Sequence, residues 1–333
     1  MRARIARSFV VLVLVSGSLA ACSGSEAETG GGNSPSAVAS IAAFPSPVKG
    51  GLPVPDPSAM LPVVGQETVV EAATASPEPV GDGSHIRDAT ATYEGTMSDA
   101  RVSGTRTVTA NLDQRADGSG SMWGTSVVRN DNGSWSGTWT GLISKGSEHR
   151  YFFEDFVGAG AYEGLTYHRN SLWAGDPTEA VPGEVLQTSG WLEKADGSAV
   201  QPSQVQTSGG QIPVSGFATF KSAGARAWVF RNTMTDPRVS GLMSSIPIGD
   251  PKREDGSTDY GGTFKLDGPE GTWVCSRAIG SRGADTGGEH TNYCEAKGTG
   301  AYEGLVYHSH WHFFEPFGPD TRIASTGWIE PAT

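Results

Sequence analysis

Apolar and polar positions alternate in short runs along most of the chain. In Arg106-Thr107-Val108-Thr109-Ala110-Asn111-Leu112 the apolar side chains fall on alternate residues, the period of a strand with one buried face. Met122–Val128, Trp135–Ile143, Tyr151–Val157 and Leu165–Trp173 read the same way. Between the runs lie turn signals such as Ala116-Asp117-Gly118, Asp131-Asn132-Gly133 and Lys145-Gly146-Ser147. Their residues tolerate positive φ and bond their own backbone. No run of about ten residues keeps a helical period. The pattern predicts an all-β protein, with about six to eight short antiparallel strands per unit closing as a barrel or sandwich.

The unit occurs twice. Asp99-Ala100-Arg101-Val102-Ser103-Gly104 returns as Asp236-Pro237-Arg238-Val239-Ser240-Gly241. Gly133-Ser134-Trp135 returns as Gly271-Thr272-Trp273. Gly158-Ala159-Gly160-Ala161-Tyr162-Glu163-Gly164-Leu165 returns as Gly298-Thr299-Gly300-Ala301-Tyr302-Glu303-Gly304-Leu305. Gly190-Trp191-Leu192-Glu193 returns as Gly327-Trp328-Ile329-Glu330. Blocks in one order at a nearly constant shift mark a tandem duplication. The expected domains are 86–195 and 213–333, joined by a Ser-, Gly- and Gln-rich linker at 196–212. The alternative is one larger barrel built from both copies.

The first 85 residues break this pattern. Arg2, Arg4 and Arg7 precede a short apolar run, Phe9–Val15, and then small residues. That run is too short to span a bilayer and has the layout of a secretory leader at 1–21. Leu19-Ala20-Ala21-Cys22 resembles the lipobox of bacterial lipoproteins. The resemblance implies cleavage before Cys22 and attachment of diacylglycerol and a further acyl chain, palmitate-like, at that cysteine. Such chains anchor a protein to a membrane without crossing it. The protein is therefore expected at the cell envelope, extracytoplasmic and lipid-anchored. Residues 22–85 then read as an anchor and disordered tether. Nine of the 20 prolines, and none of the nine tryptophans, fall in 23–84, too little apolar surface to offset the entropy of ordering. Met60–Ala73 (MLPVVGQETVVEAA) is apolar enough to supply an extra strand instead.

Charge narrows the partners. With 24 Lys and Arg against 36 Asp and Glu, the net charge is −12, which leaves no basic footprint for nucleic acid. Gly accounts for 46 of 333 residues, about twice the usual share, which suits strands and tight turns. The spacing Gly158-x-Gly160-x-x-x-Gly164 imitates a dinucleotide loop, but Leu165-Thr166-Tyr167-His168-Arg169-Asn170 continues it as strand, not as the helix that would hold a pyrophosphate. The same string, glycines then an aromatic residue then Glu-Gly, resembles a stretch of the allene oxide cyclase and dirigent-like barrels. The resemblance covers about eight residues per copy and implies a calycin-like eight-stranded barrel. Those families' catalytic residues have no matching positions here, so no activity carries over.

Alternation assigns faces on the strand after this block. Leu305, Tyr307, Ser309, Trp311 and Phe313 share one side, and Val306, His308, His310 and His312 the other. Leu165, Tyr167 and Trp173 repeat the aromatic side, opposite Thr166, His168 and Asn170. The aromatic side is expected inside, which makes Tyr167, Trp173, Tyr307 and Trp311 the candidate ligand-binding residues. Two of the imidazoles at i, i+2 and i+4 can converge on one zinc ion. The first copy keeps only His168, so the favoured reading of His308, His310 and His312 is a solvated row on the outer face rather than a metal site. Cys275 and Cys294, in an exported domain, are expected to form a disulfide. Their first-copy counterparts are Gly137 and Glu154. The repeated pairs Glu163/Glu303 and Arg101/Arg238 read as structural corners.

No catalytic residue and no cofactor emerges. The expectation is a lipid-anchored envelope protein acting as a binding or structural module for an apolar small molecule or another envelope component. The competing class is an enzyme with a cyclase- or isomerase-like pocket or a histidine metal site.

Overall fold

The computed structural model describes residues 54–72, 75–147, 149–173, 181–203, 209–224, 227–249, 252–253, 257–283, 288–314, 318 and 321–332. The leader, Cys22 and the tether up to residue 53 lie outside them. Among the described residues the chain forms strands and single 3-10 turns, with no α-helix.

Nine strands make the first unit: β1 Leu61–Glu71, β2 Glu78–Val80, β3 Gly83–Met97, β4 Gly104–Gln114, β5 Gly120–Asn130, β6 Gly133–Ile143, β7 Arg150–Gly160, β8 Leu165–Trp173 and β9 Val185–Lys194. The sheet runs antiparallel from β3 to β9, and β1 closes it by pairing with both β9 and β3. The result is an eight-stranded barrel, with β2 a short flap on β3. The second unit comprises β10 Ile212–Ala223, β11 Trp228–Met234, β12 Gly241–Gly249, β13 Thr258–Asp267, β14 Gly271–Gly283, β15 Glu289–Gly300, β16 Leu305–Phe314 and β17 Arg322–Pro331, again a closed antiparallel barrel. The duplication therefore yields two barrels, not one and not a sandwich. One boundary moves: the barrel starts at Leu61, so the segment read as tether as far as 85 already contains β1 and β2.

Three of the four repeated blocks form the corners that plug one end of each barrel. Asp99 caps the 3-10 turn Ala100–Val102 and pairs with Arg101 (2.8 Å). Trp135 Nε1 donates to the Arg101 carbonyl (2.7 Å), and Tyr162 stacks on the Trp135 ring at 5.1 Å. In the second copy Asp236 pairs with Arg238 (2.6 Å), Trp273 donates to the Arg238 carbonyl (2.7 Å), and Tyr302 stacks on Trp273 at 5.0 Å. Each stack adds about 0.5–1.5 kcal/mol beyond its burial. The glycine spacing follows from this fold-back: a Cβ on Gly158 or Gly298 would lie 2.2 or 2.0 Å from the carbonyl oxygen of Tyr162 or Tyr302. Glu163 and Glu303 sit exposed on these turns.

The interiors diverge at mid-height. Inside the first barrel Glu67, Arg106, Glu154 and Arg169 form a buried layer of alternating charge. Arg106 bridges Glu67 and Glu154 at 2.8 Å each. Arg169 grips Glu67 with two bonds of 2.6 Å and reaches Glu154 at 3.2 Å. Ser126 donates to Glu154 (2.9 Å). Burial raises the Glu67 carboxyl, but the two guanidiniums outweigh it and hold the group below its ordinary value. The layer divides the apolar core into two clusters. In the second barrel the register-equivalent positions are Ala218, Met243, Cys294 and Ser309. There Cys275 and Cys294 form the expected disulfide within a single apolar core.

The barrels pack on each other through the outer faces of β1, β8 and β9 against those of β10, β16 and β17, and this corrects the reading of the histidines. They lie on the outer face, as alternation requires, but are 8%, 2% and 4% exposed at His308, His310 and His312: the other barrel covers His310 and His312, while Trp328, Tyr293 and Glu330 of its own barrel enclose His308. Ser189 bonds His310 Nδ1 (3.0 Å), Asn170 donates to Thr326 (3.0 Å), and Phe153 stacks on His312 at 3.9 Å. Val54 and Met60 join Trp191 of one barrel to Phe217 and Ala324 of the other in a small apolar cluster.

Candidate functional site

A cavity of about 240 Å³ opens at the mouth of the second barrel, away from the Trp273 plug. Trp228, Phe230, Trp311, Phe313 and Tyr260 supply its walls. These rings are held by each other. Phe230 meets Trp311 edge-on at 5.2 Å and Trp228 at 6.4 Å, and His290 lies flat on Phe313 at 4.6 Å. Tyr260 is fixed by its hydroxyl, which donates to the Thr291 carbonyl (2.9 Å). Its ring covers Gly280, where a Cβ would come within 2.6 Å of it. Burial pushes the Tyr260 hydroxyl above its ordinary value, so it stays a neutral donor.

The first barrel shows why the second is hollow. Strand register makes Trp139 equivalent to Ala278, Leu112 to Gly249, Val108 to Ser245 and Phe152 to Asn292. At each position a large apolar side chain in the first copy faces a small or polar residue in the second. Trp139, Leu112, Val108 and Phe152 are all buried and fill the first mouth. Trp173 closes it, with the Arg150 guanidinium 4.3 Å above its ring. A packed interior tolerates few voids of this size without a use for them.

Of the four aromatic candidates, the structure places only Trp311 on the cavity. Tyr167 and Tyr307 are buried near the plugged ends, edge-on to Trp135 and Trp273 at 6.0 and 5.8 Å. Trp173 belongs to the filled mouth of the first barrel. Sequence reasoning missed Trp228, Phe230, Tyr260, Phe313 and Asn292. The signal that would have found them is the comparison of copies at inward positions, which requires the strand register.

The histidines serve contacts between and around the barrels. His168 and His308 occupy equivalent clamps. Each lies flat on a Trp of the next strand, Trp191 or Trp328, at 4.4 Å, and each reaches the Glu two residues beyond, Glu193 (3.3 Å) or Glu330 (2.9 Å). This clamp is what the repeated Gly-Trp-x-Glu block builds. The two imidazoles differ in charge. Burial lowers His168, but Asp155 at Nδ1 and then Glu193 bring it up to about 9. At His308, Nδ1 meets the Tyr293 hydroxyl (2.9 Å) instead, burial dominates, and the group falls below its ordinary value. His310 is pushed down to about 3 by burial and by its neighbour His308. His312 Nε2 bonds the buried Glu289 (2.7 Å). Among the described residues no cluster of three or more His, Cys, Asp or Glu is arranged to hold a metal ion.

A second depression of about 630 Å³ lies between the barrels and shares Tyr260, Gly261, Gly262 and Ala278 with the cavity wall. It is bounded mainly by strand residues of the second barrel, 259–263 and 276–280, with residues 144–146, His149 and Tyr151 of the first on the other side. Comparison with known proteins returned no family model, no curated protein and no solved structure that matches this chain.

Proposed function

We propose that this protein is a lipid-anchored binding module of the cell envelope, whose second barrel takes up a small ring-containing molecule while the first serves as a filled structural partner. The observation that carries the reading is the exchange of Trp139, Leu112, Val108 and Phe152 for Ala278, Gly249, Ser245 and Asn292, which leaves a space walled by Trp228, Tyr260 and Trp311 where the first copy has Ala91, Met122 and Ser171. Aromatic walls bind planar apolar groups by burial and ring stacking. A cavity of about 240 Å³ is below the ~300–1,000 Å³ of sites for drug-sized ligands, so the guest has one or two rings. The envelope placement rests on the lipobox-like Leu19-Ala20-Ala21-Cys22 and the Pro-rich segment after it.

Two experiments test the two halves. Native mass spectrometry of the purified protein should show a bound small molecule that is absent from the Ala278→Trp variant. Equal occupancy in both proteins would remove the cavity from the account. For the anchor, labelled palmitate should enter the wild-type chain and not Cys22→Ser; label retained in Cys22→Ser would refute acylation at that thiol.

A further inference from the structure

Each of two cavity tryptophans has an uncharged polar residue directly across the ladder. Asn292 pairs in register with Trp311 and Ser245 with Trp228, and all four line the space. The same pairs in the first barrel are Phe152 with Ser171 and Val108 with Ala91. Of the four exchanges that empty the second mouth, Ala278 and Gly249 only remove bulk, whereas Asn292 and Ser245 also bring hydrogen-bonding groups. The polar member of the first barrel, Ser171, is satisfied by its own barrel: Arg169 Nε donates to its hydroxyl (3.0 Å), which also bonds Thr188 (3.0 Å). In the second barrel, among the described residues, the Asn292 amide bonds the Tyr260 hydroxyl alone and the Ser245 hydroxyl bonds none. An amide carries two N–H donors and a carbonyl oxygen, so one bond to Tyr260 leaves the rest of its capacity at the cavity wall.

From this we infer that the ligand is a neutral hydroxylated arene, a one- or two-ring phenol whose ring lies among Trp228, Phe230 and Trp311 and whose hydroxyl is bonded by Asn292. The inference rests on the binding reading above and deepens it by naming the ligand's polar group. A phenol hydroxyl both donates and accepts, which matches the carbonyl and the N–H of the amide. A purely apolar ring would strand the amide against it, and a site with a stranded polar group rejects the analogue that lacks the hydroxyl. A carboxylate would bring a full charge in among the aromatic walls, which costs more than the neutral hydroxyl does.

The test uses the purified two-barrel protein and three probes that share one ring system: 2-naphthol, 2-methylnaphthalene and 2-naphthoate. Binding is followed by isothermal titration calorimetry at neutral pH, where the naphthol is uncharged. Naphthol should bind about tenfold more tightly than methylnaphthalene, and more tightly than naphthoate. Asn292→Leu, which keeps the size of the side chain and removes its amide, should lose about tenfold for naphthol and leave methylnaphthalene unchanged. The ranking of probes on the wild type needs no variant and serves if Asn292→Leu fails to fold. Naphthol and methylnaphthalene binding alike would overturn the phenol inference while leaving the cavity reading intact. So would tightest binding of naphthoate, or an Asn292→Leu protein that weakens naphthol and methylnaphthalene equally. No binding of any probe would remove the cavity reading, and the phenol inference with it.

Discussion

Ser189 and Thr326 occupy equivalent places in the two copies and hydrogen-bond to each other across the barrel interface at 2.8 Å. Contacts between equivalent residues mark a two-fold axis. The flanking bonds obey it: Asn170 to Thr326 and Ser189 to His310 are the same contact seen from either side. The duplicated chain carries, within itself, the interface of a symmetric dimer.

At that axis Ser189 and Thr326 are fully buried. Thr326→Arg places an unpaired charge there, at a cost of about 3 kcal/mol or more. Calorimetry should then resolve two melting transitions, one per barrel, where the wild type shows a single cooperative one.

Stability should peak near neutral pH for two opposed reasons. The folded-state value of His168, about 9, lies above its ordinary 6.5. Its contribution is complete below about 6.5 and is lost as pH rises toward 9, amounting to roughly 3 kcal/mol at most. His310, held down near 3, contributes fully above about 6.5 and loses its contribution as pH falls toward 3. Urea midpoints measured from pH 4 to 10 should therefore fall on both sides. His168→Gln should flatten the alkaline limb and His310→Asn the acid limb.

The charge layer of the first barrel makes a different prediction. Glu67→Gln leaves Arg106 and Arg169 sharing only Glu154 in a buried site, and should cost about 3–5 kcal/mol. The double variant Glu67→Gln/Arg169→Met should cost less than the sum of its parts, because it also removes one of the stranded charges. Chemical denaturation of the four proteins in the cycle measures the coupling.

Much of this was legible in the chain. The duplication, the strand runs and the inward aromatic face of Leu305, Tyr307, Trp311 and Phe313 follow from alternation and repeat spacing, and they hold in the barrel. What escaped has physical reasons. The strand β1 carries Val63 inward and Val64 outward, both fully buried, because its outer face lies against the second barrel. Its inward Glu67 breaks the alternation further, so a core strand resembled the end of a tether. His310 and His312 sit on the outer face as expected, but which outer face is covered depends on a partner that local sequence does not reveal. The disulfide was legible from Cys275 and Cys294, whereas the charge layer at the same height needed Glu67, from the segment assigned to the tether.

The disulfide closes a 19-residue separation, for which loop closure predicts about 3 kcal/mol. Cys275→Ala/Cys294→Ala should lower the stability of the second barrel by roughly that amount. Hydrogen exchange should show faster opening of β14 and β15 with β5 and β6 unchanged.

The central claim, one hollow barrel beside one filled barrel, is tested most directly by the stoichiometry of ligand uptake. Calorimetric titration of the wild-type protein with 2-naphthol should give one site per chain, lost in Ala278→Trp and retained in Trp139→Phe. Two sites per chain, or one site that survives Ala278→Trp, would contradict it.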